Sequence, residues 1–404
     1  MQRFTVLDSW RGLSACVIAL LHLSLLANWS FHDAHMVENA FVVVDFFFVL
    51  SGFIICGTYE DRLANGSSPT TYMILRIGRL YPLHVATLAA VLAMRLVFGA
   101  FPLDEFSLAN VFDDGAYSLS SFVANVFLVQ SFIGVETGPA WNGPSWSISA
   151  EFYTYILFAG IWTFFAAAAP SRLARHVIHG SVFGLCFAYL LVSPLGMYRD
   201  YDLGIVRCIY GFSAGVLVRH LYTSVENQMA KARLGSGATA IELALVAVAI
   251  GFVGLAHDRA IVLFAPAVFA LMVLVFAFER GAVSRVLRHP ALLALGTLSY
   301  SIYMVHYVIL LFEERVVWFL EAKLGWALSA TPEHSPIPLW GTSELLGNVF
   351  VAANMVVFVA VAALTYRFIE TPGRDWVRRL ARRREQRRAC AREAAAAKAP
   401  PRSL

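Results

Sequence analysis

An arginine and a histidine stand in the first apolar stretch of the chain, LDSWRGLSACVIALLHL, where Arg11 and His22 are eleven residues apart. That spacing is nearly three complete turns of an α-helix, so both side chains project from one face and lie roughly 16 Å apart along the axis. Ionisable groups are costly inside a membrane and usually mark a functional site there. A histidine at this depth can act as a general base, and an arginine can bind an anion. The structural alternative is a neutral, satisfied histidine and an arginine that anchors the helix at the interface.

Two further apolar stretches each contain a carboxylate. Asp45 lies in FVVVDFFFVLSGFIICG, close to the outer end of a predicted span, and Glu151 lies in WNGPSWSISAEFYTYILF. Glu151 is about two turns inside its apolar region. A buried carboxylate requires a partner, which His22 or an arginine could supply. Either carboxylate could therefore orient the histidine ring, and the sequence does not distinguish between them.

Two arginines at helical spacing occur in RIGRLYPLH. Because Arg76 and Arg79 are three residues apart, they lie on one side of a helix, where two guanidinium groups can bind phosphates through bidentate hydrogen bonds. Arginines near the cytoplasmic end of a membrane helix also serve as simple anchors. The spacing alone leaves both roles open.

The stretch LGTLSYSIYMVH contributes a second histidine. His306 follows Ser299 by seven residues, which is about two turns, so the two share a helix face. This pair keeps open a covalent route through an acylated serine. Either His22 or His306 could be the base. Tyr300 and Ser299, with Trp146 from another stretch, are candidates for lining a pocket or donating hydrogen bonds to an oxyanion.

The composition indicates what kind of protein must position these groups. Of the 404 residues, 59% are hydrophobic and 14% are charged, and the mean hydropathy is +0.66. The apolar share and the mean hydropathy exceed ordinary globular usage and the charged share falls below it, which predicts an all-α polytopic membrane protein. A bilayer is crossed by about 20 mostly apolar residues. This measure predicts ten transmembrane helices, at 11–29, 39–58, 80–99, 146–168, 176–194, 203–220, 239–256, 259–278, 294–316 and 346–368.

The loops and the tail predict the orientation. Basic residues such as Arg172 and Arg175 follow even-numbered spans, so both termini are expected in the cytoplasm, on the inner membrane. Residues 373–404 hold ten arginines and one lysine against three acidic residues. They are expected to form a disordered basic tail at the cytoplasmic membrane surface, after a membrane domain of residues 1–372.

Two segments between the spans are informative for different reasons. The apolar segment 120–134 is short and is interpreted as re-entrant or interfacial, whereas the external loop 317–345, rich in Pro and Trp, is expected to shape the choice of substrate. The loop after the third predicted span is acidic, which agrees with an external position; its acidic residues are Asp104, Glu105, Asp113 and Asp114.

The five cysteines indicate little chemistry. Four lie singly within apolar stretches and the fifth lies in the basic tail, with no C-x-x-C pair. Neither a disulfide framework nor a metal site is therefore expected.

Five blocks occur in series along the chain: LDSWRG-x9-H, VDFFFVLSGF, RIGRLYP, PSWSISAEFYTY and LGTLSYSIYMVH. Together they resemble the membrane-bound acyltransferase-3 family, from about residue 7 to about residue 372. The resemblance implies a ten-helix enzyme that moves an acyl group, usually acetyl, from cytoplasmic acyl-CoA to a hydroxyl. Arg11 and His22 match the family's essential R-x10-H pair. Arg76 and Arg79 match its RxxR pair, which is associated with the donor.

This resemblance gives the individual residues specific expected roles. His22 is expected to remove the proton of the acceptor hydroxyl, with Glu151 or Asp45 orienting its ring. The polyanionic acetyl-CoA is expected to bind where Arg11, Arg76 and Arg79 meet the cytoplasm. The expected partners are therefore acyl-CoA, the bilayer and a hydroxylated acceptor, a polysaccharide or glycolipid, with no metal and no nucleic acid.

Alternatives remain for the acceptor and for the activity. The chain ends in a short tail, so the SGNH-type domain of some relatives is not expected, and direct transfer or a separate partner must serve. The acceptor could instead be a small molecule such as an antibiotic or a lipid. A non-enzymatic transporter of a glycan or lipid is the remaining alternative. The sequence leaves open the acyl chain, the acceptor and the oligomeric state.

Overall fold

The computed structural model describes residues 3–100, 111–112, 115–132, 141–165, 171–198, 202–231, 235–332 and 335–398, with the backbone alone at residue 172 and at residues 388–398. The α-helices are α1 (Thr5–Ser24), α2 (His35–Glu38), α3 (Val44–Ala64), α4 (Pro69–Ala100), α5 (Leu119–Val126), α6 (Trp146–Phe165), α7 (Arg172–Val192), α8 (Gly204–Lys231), α9 (Ser236–Leu255), α10 (Arg259–Val262), α11 (Ala265–Ala277), α12 (Ala282–Leu287), α13 (Pro290–Leu324), α14 (Glu344–Thr365) and α15 (Thr371–Lys398). In this part of the chain, the only sheet is an antiparallel pair, β1 (Ser329–Ala330) and β2 (Leu339–Trp340). The acidic loop residues Asp104, Glu105, Asp113 and Asp114 lie outside the described residues.

Nine segments of the described chain are long and apolar enough to cross a bilayer. Each overlaps one predicted span, and the remaining span, 203–220, falls in the 28-residue helix α8. Arg207 and Arg219 lower the hydropathy of α8, whose first half is buried against α3, α6 and α7. The prediction of an all-α polytopic membrane protein is confirmed, whereas the orientation of the termini stays a prediction.

Glycines bring the helices that carry the candidate residues into contact. A Cβ atom on Gly12 of α1 would lie 2.4 Å from the backbone nitrogen of Gly296 in α13, and one on Gly52 of α3 would lie 2.0 Å from the carbonyl oxygen of Phe212 in α8. Only glycine tolerates such close backbone approach. The α1–α13 contact lies directly beside Arg11, which fixes that arginine against α13.

The segment after α13 is structured and returns to α1. α13 has 35 residues and is about 52 Å long, which exceeds a bilayer core of about 30 Å. It ends at Gly325, whose φ of +67° gives a left-handed cap. In the hairpin that follows, the backbone N–H of Trp340 donates to the carbonyl of Leu26 (2.7 Å), and that of Asn28 donates to the carbonyl of Trp340 (2.9 Å). The described part of the loop 317–345 thus covers one end of α1.

The apolar segment 120–134 does not span a bilayer in its described part. It contains most of α5, which has eight residues and is only about 12 Å long. Ser118 caps this helix by accepting a hydrogen bond from the backbone N–H of Ser121 (3.2 Å). The re-entrant or interfacial interpretation agrees with this geometry, and residues 133–134 lie outside the described residues.

The basic tail differs from the expectation of disorder, because residues 371–398 form the helix α15. Alanine, arginine and glutamate dominate this segment and are strong helix formers. The helix also packs against α4: Val377 and Ala381 are buried, and a Cβ on Gly78 would lie 2.6 Å from Val377. A single π-turn (Tyr366–Glu370) connects α14 to α15, so the expected boundary at residue 372 falls within a continuous run of helix.

Candidate active site

Helices α1, α3, α4, α6 and α13 enclose a cavity of about 170 Å³. Its polar lining consists of three arginines, one carboxylate and six hydroxyl groups, from Arg11, Arg76, Arg79, Glu151, Ser51, Ser147, Tyr155, Ser299, Tyr300 and Tyr303. Six of the ten side chains expected from the sequence therefore meet in this one cavity. The other four, His22, Asp45, Trp146 and His306, do not line it.

Arg11 is fixed by α13. Its Nε donates a hydrogen bond to Ser299 Oγ (2.8 Å) and one terminal nitrogen donates to the carbonyl of Gly296 (2.8 Å). The same terminal nitrogen lies 3.4 Å from a carboxylate oxygen of Asp8. These contacts hold the guanidinium in a single orientation at the wall of the cavity.

Arg79 is paired with a carboxylate that sequence reasoning missed. Its guanidinium forms an ion pair with Glu370 of the π-turn, and Glu370 also accepts a hydrogen bond from Ser301 (2.8 Å). The Tyr300 ring lies beneath Arg79, with its centre 5.0 Å from the guanidinium carbon. The Tyr300 hydroxyl donates to the carbonyl of Leu80 (2.5 Å), so its proton is not directed at a ligand. The only sequence signal for Glu370 is an acidic residue just after the last span.

Arg76 has a different environment from the other two arginines. One terminal nitrogen donates to the Tyr59 hydroxyl (3.1 Å). The guanidinium carbon lies 5.1, 5.8 and 5.7 Å from the ring centres of Tyr59, Tyr72 and Tyr155. Among the described residues no carboxylate lies within ion-pair distance of Arg76, and its buried Nε lacks a hydrogen-bond partner. Arg76 is therefore the cation of this cavity that is most available to an anionic ligand.

Glu151 belongs to a short chain of hydrogen bonds across the cavity wall. It accepts a hydrogen bond from the Tyr155 hydroxyl (2.6 Å), whose oxygen lies 2.7 Å from Ser51 Oγ. Glu151 is the only carboxylate in the lining. Asp8 and Glu370, which lie outside the lining, already face Arg11 and Arg79, so Arg76 is the guanidinium whose positive charge is left for an anionic ligand.

His22 and His306 contact each other. The Nδ1 of His22 lies 2.9 Å from the carbonyl oxygen of Ile18 and 3.4 Å from Nε2 of His306. The Nδ1 of His306 lies 3.0 Å from the carbonyl oxygen of Ile302. If the proton of each ring is on Nδ1, His306 donates to the Ile302 carbonyl, and the single His22 N–H is shared between the Ile18 carbonyl and Nε2 of His306. In that tautomer Nε2 of His22 keeps a free lone pair, as a general base requires.

This geometry corrects the expectation that a carboxylate orients His22. A backbone carbonyl and a second imidazole hold the ring instead, because Asp45 and Glu151 are engaged elsewhere. Asp45 forms a buried ion pair with Arg207 of α8, at 2.8 Å and with the side chains 0% and 1% exposed. The sequence had predicted a partner for Asp45 but had not identified Arg207, although an arginine within a predicted span is itself a signal.

Trp146 and His306 also depart from their expected positions. Trp146 is buried beside the Asp45–Arg207 pair, with its ring centre 5.6 Å from the Arg207 guanidinium carbon, and it does not line the cavity. Ser299 and His306 share a face of α13, but two turns place them about 11 Å apart along the axis. Since the Ser299 hydroxyl is bound to Arg11, the pair does not form a nucleophile and base.

Tyr303 separates the cavity from the two histidines. It lines the cavity together with Phe47, and the two ring centres are 5.9 Å apart. The Tyr303 ring is also 5.9 Å from that of His306. Its hydroxyl donates to the carbonyl of Pro144 (3.1 Å) and lies 2.8 Å from Ser147 Oγ. The arginine-lined cavity and the histidine pair are thus neighbouring compartments along α1 and α13.

A family model described as an acyltransferase domain (Acyl_transf_3) matches residues 4–367 of the chain. This match covers both compartments, from the start of α1 to the π-turn. No solved structure matches the chain significantly.

Curated proteins that are similar to the chain come from several bacteria. The acyltransferase MdmB of Streptomyces mycarofaciens is 24% identical over 91% of this chain and 85% of its own length. The exopolysaccharide production protein ExoZ of Rhizobium meliloti is 26% identical over 68% of this chain and 80% of its own length. The putative membrane-bound transacylase BcsY of Komagataeibacter xylinus is 25% identical over 74% of this chain and 71% of its own length.

Proposed function

Because the chain belongs to the acyltransferase-3 family, we propose that this membrane O-acyltransferase moves an acetyl group from acetyl-CoA to a hydroxyl of a cell-surface or exported glycan. The proposal rests chiefly on one feature of α1. This helix carries Arg11 at an anion-binding cavity and, roughly 16 Å further along, a histidine with a free Nε2. Acyl transfer requires donor binding and proton removal, and the arginine-lined cavity and His22 are suited to these two tasks.

The donor binds in the cavity with its phosphates at the arginines. Coenzyme A carries several negative charges, and Arg76 lacks a carboxylate partner among the described residues. Arg11 and Arg79 are held in place by Gly296 and Glu370, so they present N–H groups at fixed positions, while Arg76 supplies the uncompensated positive charge. The mouth with these arginines faces the cytoplasm, where acyl-CoA is present, and both termini lie on that side of the inner membrane.

The chemical step is a direct transfer with His22 as base. Nε2 of His22 takes the proton of the acceptor hydroxyl while the hydroxyl oxygen attacks the thioester carbonyl. The tetrahedral intermediate collapses by breaking the C–S bond, and the proton passes from His22 to the departing thiolate, so the products are an acetyl ester and free CoA. The Ile18 carbonyl and His306 stabilise the imidazolium that forms between the two steps.

The acceptor approaches from the compartment that contains the histidines. The name of ExoZ refers to exopolysaccharide production, which supports a glycan acceptor for this chain as well. The hairpin β1–β2 and the end of α13 cover α1 beyond His22, and they are suited to select the acceptor.

Comparison of acylation in cells with and without the protein tests the proposal. Envelope polysaccharides from a deletion strain, and from the same strain carrying either wild-type protein or His22→Ala, are analysed by NMR for O-acetyl groups. We expect O-acetyl groups to disappear on deletion, to return with wild-type protein and to stay absent with His22→Ala. If the deletion strain has unchanged glycans but lacks an acetylated small molecule, that small molecule is the acceptor and the glycan proposal is wrong.

A second experiment addresses the enzyme itself. Purified full-length protein is incubated with acetyl-CoA and polysaccharide from the deletion strain, and the release of free CoA is followed. Turnover that depends on both substrates supports the proposal. Restoration of the envelope phenotype without any consumption of acetyl-CoA would instead identify a transporter.

A further inference from the structure

Outside the two compartments, a cysteine, a glutamate and a histidine converge where α3, α7 and α8 meet. Cys56 Sγ lies 3.2 Å from a carboxylate oxygen of Glu60, and Nε2 of His220 lies 2.9 Å from the same oxygen. One potential ligand atom from each residue lies within 4.8 Å of the others. Cys56 and Glu60 are one turn apart on α3, so both face α8.

The spacing of these atoms suits a transition metal. In a tetrahedral site with bonds of about 2.0–2.3 Å, neighbouring ligand atoms are roughly 3.3–3.8 Å apart. The three atoms all lie within 4.8 Å of one another, and thiolate, imidazole and carboxylate together form a ligand set for zinc.

A second buried histidine beside the cluster has a ring nitrogen without a hydrogen-bond partner. His179 of α7 is 3% exposed, and its Nε2 has no hydrogen-bond partner. Its ring centre lies 6.0 Å from that of His220. A buried, unsatisfied imidazole nitrogen is destabilising, and coordination of a metal ion removes that cost. His179 is therefore a candidate fourth ligand, and it must move towards the other three, because its nitrogens lie outside their 4.8 Å cluster.

The charges of the site balance when the ion is present. Cys56 is 3% exposed and Glu60 is 6% exposed, so an uncompensated charge is costly here. A divalent ion neutralises the Cys56 thiolate and the Glu60 carboxylate, and the proton of the thiol is released to water. Two cations lie nearby: Arg175 forms its shorter ion pair with Asp61 (2.5 Å) rather than with Glu60 (3.9 Å), and Arg219 lies beside Gly57.

We propose that Cys56, Glu60 and His220, with His179 as the fourth ligand, bind one zinc ion that ties α3, α7 and α8 together. The site is structural rather than catalytic, because these residues do not line the donor cavity. The ligands come from three helices spread along the chain, and for this reason no metal-binding motif is visible in the sequence.

Metal analysis of the full-length protein tests the site without any need for activity. The protein is purified in detergent through a tag that contains no histidine, exposed to Zn²⁺, freed of unbound metal and analysed by mass spectrometry. We expect one zinc per chain. Replacement of zinc by Co²⁺ should give the thiolate-to-cobalt charge-transfer band in the near ultraviolet.

Two cysteine variants separate a specific site from adventitious binding. Cys56→Ser should lose the charge-transfer band, whereas Cys186→Ser, a partly buried cysteine of α7 away from the cluster, should keep it. Wild-type protein that retains no zinc and shows no cobalt band overturns the proposal, even if Cys56→Ser does not fold. A band that persists in Cys56→Ser, or one lost equally in both variants, overturns it as well.

Discussion

Replacement of Asp45 by asparagine should destabilise the protein without a selective effect on chemistry. Three contacts of 2.8–3.3 Å join Asp45 to Arg207, and both side chains are fully buried. Removing one partner of such a pair leaves a buried charge without compensation and costs about 3–5 kcal/mol. For a chain of this size we expect the Tm to fall by an amount on the order of 5 °C.

A double variant isolates the ion pair from other effects of the substitution. Asp45→Leu combined with Arg207→Met removes both charges and preserves apolar volume, so most of the lost stability should return. Asp45→Leu alone should be at least as destabilising as Asp45→Asn. Asp33→Asn is the matched control, because Asp33 is 65% exposed and its nearest basic nitrogen, on His32, is 3.8 Å away.

Thermal unfolding in detergent, followed by tryptophan fluorescence, gives the Tm of each variant. Acetyl-CoA turnover is then measured well below the Tm, where Asp45→Asn should retain a large part of the wild-type rate. A variant with the wild-type Tm but no turnover would refute the structural role. It would return Asp45 to the catalytic role that the sequence had suggested.

Four further substitutions test the proposed chemistry. His22→Ala should lower turnover by roughly 10²–10⁴-fold without loss of acetyl-CoA binding, and normal turnover would exclude His22 as the base; the exposed His257→Ala is its control. Arg76→Met should raise the KM for acetyl-CoA by about tenfold or more, since a charged hydrogen bond contributes about 1.5–3 kcal/mol; an unchanged KM would place the phosphates elsewhere. Arg11→Lys should abolish turnover, because one ammonium group cannot reproduce the two guanidinium hydrogen bonds to Ser299 and Gly296 of α13. Full activity would mean that Arg11 only anchors α1 at the membrane surface. Glu370→Gln should lower the Tm, because it leaves the Arg79 guanidinium without its ion-pair partner, and a Tm equal to that of wild type would contradict this.

The sequence predicted the helices and most of the cavity, because both depend on local patterns. Long apolar stretches define spans of known length, and the spacing of Arg76 and Arg79 requires a common helix face. Arg11 entered the prediction in the same way. The span at 203–220 was also found from its length, although its two arginines lower its hydropathy and it is absent from a count based on apolar content.

Partners between distant helices could not be predicted. Asp45 pairs with Arg207 across 162 positions of the chain and Arg79 pairs with Glu370 across 291, and no spacing rule connects residues on different helices. The helix at residues 371–398 was also not predicted, because it depends on a contact with a distant helix. Charge alone suggested disorder, whereas helix propensity and the contact with α4 at Val377 and Gly78 favour a helix.

The separation of the two compartments has a chemical consequence for the proposed mechanism. A base in direct contact with the bound thioester would also activate water and hydrolyse acetyl-CoA in the absence of an acceptor. The Tyr303 ring stands between the cavity and His306, the neighbour of His22, and its hydroxyl donates to the Pro144 carbonyl; in the proposed mechanism this ring would keep the bound donor and the base His22 apart. Transfer then requires the thioester to pass Tyr303 and Phe47. A phenylalanine at position 303 loses the bond to Pro144, so Tyr303→Phe should raise the hydrolysis of acetyl-CoA relative to transfer. A ratio of hydrolysis to transfer equal to that of wild type would mean that Tyr303 does not separate the two substrates.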